Sequence, residues 1–116
     1  MQVTRLRQSD AQYPAALRGP LATDIDTLAF AGNPDLLARK AVALFCSVKC
    51  PGDLILKTYD LARALRDGGV AVTGGFHSPM EKECLTLLLR GQQPVIVCLA
   101  RSLEDLRLPT TWRMAM

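Results

Sequence analysis

Three short apolar runs, separated by two stretches of helical periodicity, constrain this chain more than any other feature. The runs are Ala41–Cys46, Val70–Thr73 and Pro94–Leu99. Each is continuous rather than alternating and too short for a helix. That is the pattern of a strand covered on both faces. Between the first two runs, Ile55, Tyr59, Ala62 and Leu65 recur at helical spacing, while Lys57, Asp60, Arg63 and Arg66 fall mostly on the other side. Asp53 can cap this helix, and Gly68-Gly69 ends it. Between the second and third runs a helix is expected from Pro79 to about Arg90. Met80, Cys84, Leu87 and Leu88 share a stripe that Leu85 and Leu89 widen, Glu83 turns to solvent, and Gly91 stops the helix. A β-α-β-α-β order from residue 41 predicts an α/β fold with a parallel sheet and right-handed crossovers. The polar turns 47–52, 74–78 and 100–102 then share the carboxyl edge of the sheet, where open α/β sheets bind ligands.

Residues 1–40 are less regular and read as an N-terminal extension packed on a 41–116 domain. Tyr13-Pro14-Ala15-Ala16-Leu17 looks like a short helical turn. Leu28–Ala31 reads as one extra strand, stopped by Gly32-Asn33-Pro34, which starts a brief helix over residues 35–38. After Thr110 no closing element is evident, so the chain reads either as truncated at its C-terminus or as a natural minimal version. A length of 116 residues allows one domain at most. Such a chain buries roughly two-thirds of its unfolded surface.

The turn after the second strand is the richest in chemistry: Thr73-Gly74-Gly75-Phe76-His77-Ser78-Pro79-Met80-Glu81. Ser78 reads as an N-cap, Pro79 as the first helical residue and Glu81 as the third, which makes a capping box. Two glycines ahead of it allow close approach of backbone to backbone or of backbone to a ligand. A strand, a Gly-Gly turn and a capped helix together form a cradle for an anion such as phosphate.

Each candidate has a functional and a plain reading. Glu81 is either the capping partner or a carboxylate in the crevice, acting as a general base or holding a ribose hydroxyl. His77, the only histidine, is a ligand contact through hydrogen bonding or stacking, or an ordinary turn residue. Ser47 and Lys49 bind a phosphate or belong to a solvated loop. Arg101, after the third strand, grips a phosphate with two nitrogens or pairs with Glu104 or Asp105. Arg107, Trp112 and Arg113 would extend a basic surface with one stacking ring. No Walker motif and no G-x-G-x-x-G is present, so neither NTP hydrolysis nor ordinary dinucleotide binding is supported.

The four cysteines do not have metal spacing. Cys46, Cys84 and Cys98 read as small core residues and Cys50 as an exposed thiol. No metal and no cofactor are expected. The net charge of +3 is compatible with a nucleic-acid partner without demanding one. No apolar run approaches ~18 residues, so no membrane partner is expected. No secretory h-region follows Met1, and cytoplasm is the default.

At these residues the chain resembles the DNA-processing protein A family (DprA, also called Smf). The resemblance runs through Tyr13–Leu17, the strand with Gly32-Asn33-Pro34 and the following leucines, and Val42–Ser47. It continues through Asp67-Gly68-Gly69-Val70 and the glycine turn after Thr73. It implies a Rossmann-like domain that binds single-stranded DNA, self-associates as a homodimer and helps load RecA in recombination and transformation. Two turns depart from the family pattern. Its Gly-Ser-Arg appears as Cys46-Ser47-Val48-Lys49, and its Ser-Gly-x-Ala-x-Gly-Ile-Asp turn as Thr73–Glu81, so the chain looks like a divergent branch. The glycine turn is also similar to the Gly-Gly-x-Gly-Thr-x-x-Glu signature of the LOG, or lysine decarboxylase-like, phosphoribohydrolases. There the glutamate and an arginine help cleave the N-glycosidic bond of nucleoside monophosphates. Glu81 would be that glutamate.

The favoured expectation is a single-strand-binding DprA-like protein using Ser47, Lys49, Gly74, Gly75, His77, Ser78 and Arg101. The alternatives are a nucleoside-monophosphate phosphoribohydrolase using Glu81, or a nucleotide sensor without catalysis.

Overall fold

The computed structural model describes residues 2–17, 27–100, 102–103 and 107–115. Two compact units divide the chain: residues 1–39 with 101–107, and residues 40–100 with 108–116.

In the first unit, strand β1 (Thr4–Arg7) pairs antiparallel with β2 (Thr27–Phe30), Thr4 opposite Phe30 and Arg7 opposite Thr27. The strand expected near Leu28 is thus present. Its partner is not announced in the sequence, because Thr4-Arg5-Leu6-Arg7 buries only Leu6 and has no apolar run to mark it. A 3-10 turn at Ala15–Leu17 follows Pro14, and another spans Pro34–Ala38. Asn33 caps the second, its side chain accepting from the Asp35 N–H at 3.0 Å. The Gln12 side chain donates to the Asp35 carboxylate at 3.0 Å.

The second unit is a Rossmann-like α/β layer. Strands β3 (Val42–Ala43), β4 (Val72–Gly74) and β5 (Val95–Val97) form a parallel sheet in the order β3-β4-β5. The register sets Val42 beside Val72 and Val72 beside Val95. Helix α1 (Gly52–Asp67) connects β3 to β4, and α2 (Pro79–Leu88) connects β4 to β5. A short α3 (Thr110–Ala115) follows Pro109. The core lies between sheet and helices: Leu44 and Val72 from the sheet, Ala62 from α1, Met80, Cys84, Leu85 and Leu88 from α2, and Phe76 from the turn between. Across the helices, Tyr59 Oη donates to the Glu83 carboxylate at 3.3 Å.

Helix boundaries follow local chemistry. Pro51, not Asp53, precedes the first residue of α1, and Asp53 sits in the first turn, where a carboxylate suits the helix dipole. Gly69 takes φ 71° past its end, and the N–H groups of Gly69 and Val70 return to Arg66 O and Leu65 O at 3.2 and 3.0 Å. That is a Schellman close. Helix α2 stops at Leu88, short of Arg90, because the Gln93 side chain donates to Leu88 O at 2.7 Å and caps the last turn.

Four expectations change. The first strand is not covered on both faces: it is the sheet's edge, only Val42–Ala43 is laddered, and Phe45 is 82% exposed. Strand β5 is half-buried along its length, being the other edge. Cys98, just past β5, is exposed, whereas Cys50 is half-buried and packs on the core. Trp112 also packs on that core, which removes it from the proposed basic surface.

Candidate functional site

Parallel pairing brings the turns after β3 and β4 to one edge. Leu44 N–H donates to Thr73 O at 2.9 Å and Cys98 N–H to Gly74 O at 2.8 Å, so the three strands stay laddered up to their carboxyl ends. Ser47 and Lys49 follow β3 and are exposed; His77 follows β4 and is exposed. Gly74 and Ser78 are buried and Gly75 half-buried. Arg101, Glu104 and Asp105 lie outside the described residues, so the expected arginine contact and its alternative pairing are not placed.

The two glycines do different work. A Cβ on Gly74 would stand 2.9 Å from the Leu44 carbonyl oxygen, so close approach of two backbones requires this glycine. A Cβ on Gly75 would stand 2.6 Å from both Cδ2 and Nε2 of His77, so the imidazole lies against the bare glycine. Between them and the helix, Phe76 adopts φ 53° with its ring 2% exposed. A left-handed phenylalanine is strained, and such residues persist only where packing over-determines them. Here the buried ring anchors the turn while His77 is turned outward.

Ser78 and Glu81 form the capping box that their spacing announces. Ser78 N–H donates to Glu81 Oε1 at 2.9 Å, Ser78 Oγ–H donates to the same oxygen at 2.6 Å, and Glu81 N–H reaches Ser78 Oγ at 3.4 Å. Burial pushes the Glu81 carboxyl up; hydrogen bonds from the Ser78 hydroxyl, the Ser78 N–H and the Cys46 N–H, with the nearby His77, outweigh it and hold the group below its ordinary value. Glu81 is therefore an ionised, 7% exposed side chain that ties the turn after β3 to the turn after β4. The plain reading of Glu81 is the one its geometry displays. The carboxylate stands at the start of α2, where an anion would otherwise be drawn.

The thiols are not arranged for a metal: among the described residues no group of three or more His, Cys, Asp or Glu side chains could hold one. Burial pushes the Cys84 thiol up to about 11, with Cys46 beside it adding to the shift, and burial likewise raises Cys46. Thiols held protonated are poor nucleophiles and poor ligands.

The sequence missed Phe45. It stands inside an apolar run and reads as core, whereas the edge position of β3 leaves it in water, just ahead of the loop that carries Ser47 and Lys49. No local signal distinguishes an edge strand from a central one here.

The fold and site together define a Rossmann-like α/β unit whose exposed polar groups gather at the carboxyl edge of a three-stranded sheet. No family model matches the chain, and no curated protein or solved structure matches it. Among the described residues no helix is long and apolar enough to cross a membrane.

Proposed function

We propose that this edge binds the backbone of single-stranded DNA, in keeping with the resemblance to the DprA family. One observation carries the reading. Ser47, Lys49 and His77 are exposed beside the carboxyl ends of adjacent parallel strands, while the ionised Glu81 carboxylate is buried and engaged by three hydrogen-bond donors. Lys49 supplies charge, Ser47 a hydroxyl, and the Gly74-Gly75 turn a close backbone surface. The same geometry bears on the hydrolase alternative, which needs Glu81 free to meet a ribose or a water. Engagement of that carboxylate as a cap favours binding over catalysis. A cytoplasmic location, a homodimer and a RecA partner belong to this proposal through the family resemblance alone.

Titration with labelled oligo-dT and with AMP, each at two salt concentrations, tests it. Oligo-dT affinity should fall steeply with salt, and Lys49→Ala should flatten the slope of log K against log salt by roughly 0.7, one single-strand phosphate contact. Salt-insensitive binding, or tight AMP binding without oligo-dT binding, refutes the reading. Release of free adenine from AMP would turn the assignment to the hydrolase.

A further inference from the structure

We infer that Phe45 is a base-stacking residue of this edge, so that the site takes an unpaired nucleobase along with its phosphate. This rests on the single-strand-binding reading above.

Three observations place the ring. First, Phe45 lies on the side of β3 away from the core. Leu44 and Val72 point into the core with α1 and α2, so their alternating neighbours point the other way. On that side Ala43 and Cys98 are exposed, Thr73 and Ile96 half-buried and Ala71 buried, with Thr73 Oγ1 3.7 Å from Cys98 Sγ. Phe45 belongs to this set and is 82% exposed. Second, the β3–β4 register pairs Ala43 with Thr73, and the Leu44 N–H still donates to Thr73 O, so Phe45 follows directly on the laddered part of β3. Gly75 is the residue against which the His77 imidazole lies. Third, the loop that follows Phe45 carries exposed Lys49, and the first carboxylate after it, Asp53, belongs to the first turn of α1. An exposed ring next to a cation is the combination that holds single strands: aromatic faces accept any base, and the cation tracks the phosphate.

The chemistry specifies the ligand. A ring open to solvent accepts a base that is not already stacked, so an unpaired strand is favoured over a duplex. A phosphate without a base gains nothing from Phe45.

The test uses the full chain, an oligo-dT strand and an abasic strand of equal length and charge. Phe45→Ala should weaken oligo-dT binding roughly 5- to 150-fold, the fold-change that loss of one base–aromatic stack gives. It should leave the salt slope and the abasic affinity unchanged. Phe45→Trp should restore binding, and on a Trp112→Phe background its emission should be quenched by oligo-dT and not by the abasic strand. The inference is overturned if Phe45→Ala binds oligo-dT as the unaltered protein does. It is equally overturned if affinity for both strands falls alike, or if the variant changes only the oligomeric state. Failure of the unaltered protein to bind either strand overturns the binding reading itself, and this inference with it.

Discussion

Replacing Glu81 with glutamine isolates the charge that joins the two turns. The carboxylate accepts from Ser78 N–H at 2.9 Å and Ser78 Oγ–H at 2.6 Å, and from the Cys46 N–H. A hydrogen bond to a charged group contributes about 1.5–3 kcal/mol net, against about 1 for a neutral pair, so three neutralised bonds lose roughly 3 kcal/mol. Glutamine is also less costly to bury than a carboxylate, which offsets part of that loss. The expected net destabilisation at pH 7 is about 1–3 kcal/mol, a sizeable share of the roughly 5–15 kcal/mol that holds a domain together. The pH dependence supplies the sign. The folded carboxyl lies below its ordinary value of 4.5, so its contribution is complete above that value and is lost as pH falls through the folded one. Urea denaturation of both proteins at pH 7 and at a series of acidic pH values measures the gap. It should be full at pH 7 and close progressively below about pH 4.5 as Glu81 itself becomes neutral. Equal stability at pH 7, or a gap that persists unchanged into acid, would refute the argument that Glu81 acts as a buried, charged tie.

Two further expectations follow from the same turns. Gly74→Ala sets a Cβ 2.9 Å from the rigid Leu44 carbonyl, so it should destabilise by about 1–3 kcal/mol in a urea melt, whereas Gly75→Ala meets only the exposed His77 ring and should spare stability while weakening oligo-dT binding; equal melts for the two would contradict this division. Maleimide labelling at neutral pH followed by peptide mapping should modify exposed Cys98 first and buried Cys84, raised to about 11, last and chiefly under denaturant; rapid labelling of Cys84 in the native protein would show the core to be otherwise.

Much of this architecture is written in short-range pattern. The capping box needs only Ser78, Pro79 and Glu81 in a row of four, because its hydrogen bonds close within one turn of helix. The stripe Met80, Cys84, Leu87 and Leu88, widened by Leu85 and Leu89, and the Gly68-Gly69 stop are equally local; the structure buries Met80, Cys84, Leu85 and Leu88, half-buries Leu87 and Leu89, and closes α1 at the glycines. The parallel β-α-β unit was legible as well, since a strand-helix-strand connection favours parallel strands, whereas the order β3-β4-β5 came from the tertiary structure. Lateral position was not. Ala41–Cys46 has the composition of a central strand, yet β3 lies at the edge, and whether Phe45 meets a neighbour or water depends on residues far away in the chain. Cys50 and Cys98 exchange their expected environments for the same reason. Spacing along the chain thus determined helices α1 and α2, the Ser78–Glu81 cap and the parallel β-α-β-α-β order. Only the tertiary structure decided which strand became the edge, which carboxylate was withdrawn from the surface and that the Phe45 ring stayed in water. Periodicity records how a segment divides into faces, while exposure is set by what packs against each face, and that information is not carried by the segment itself.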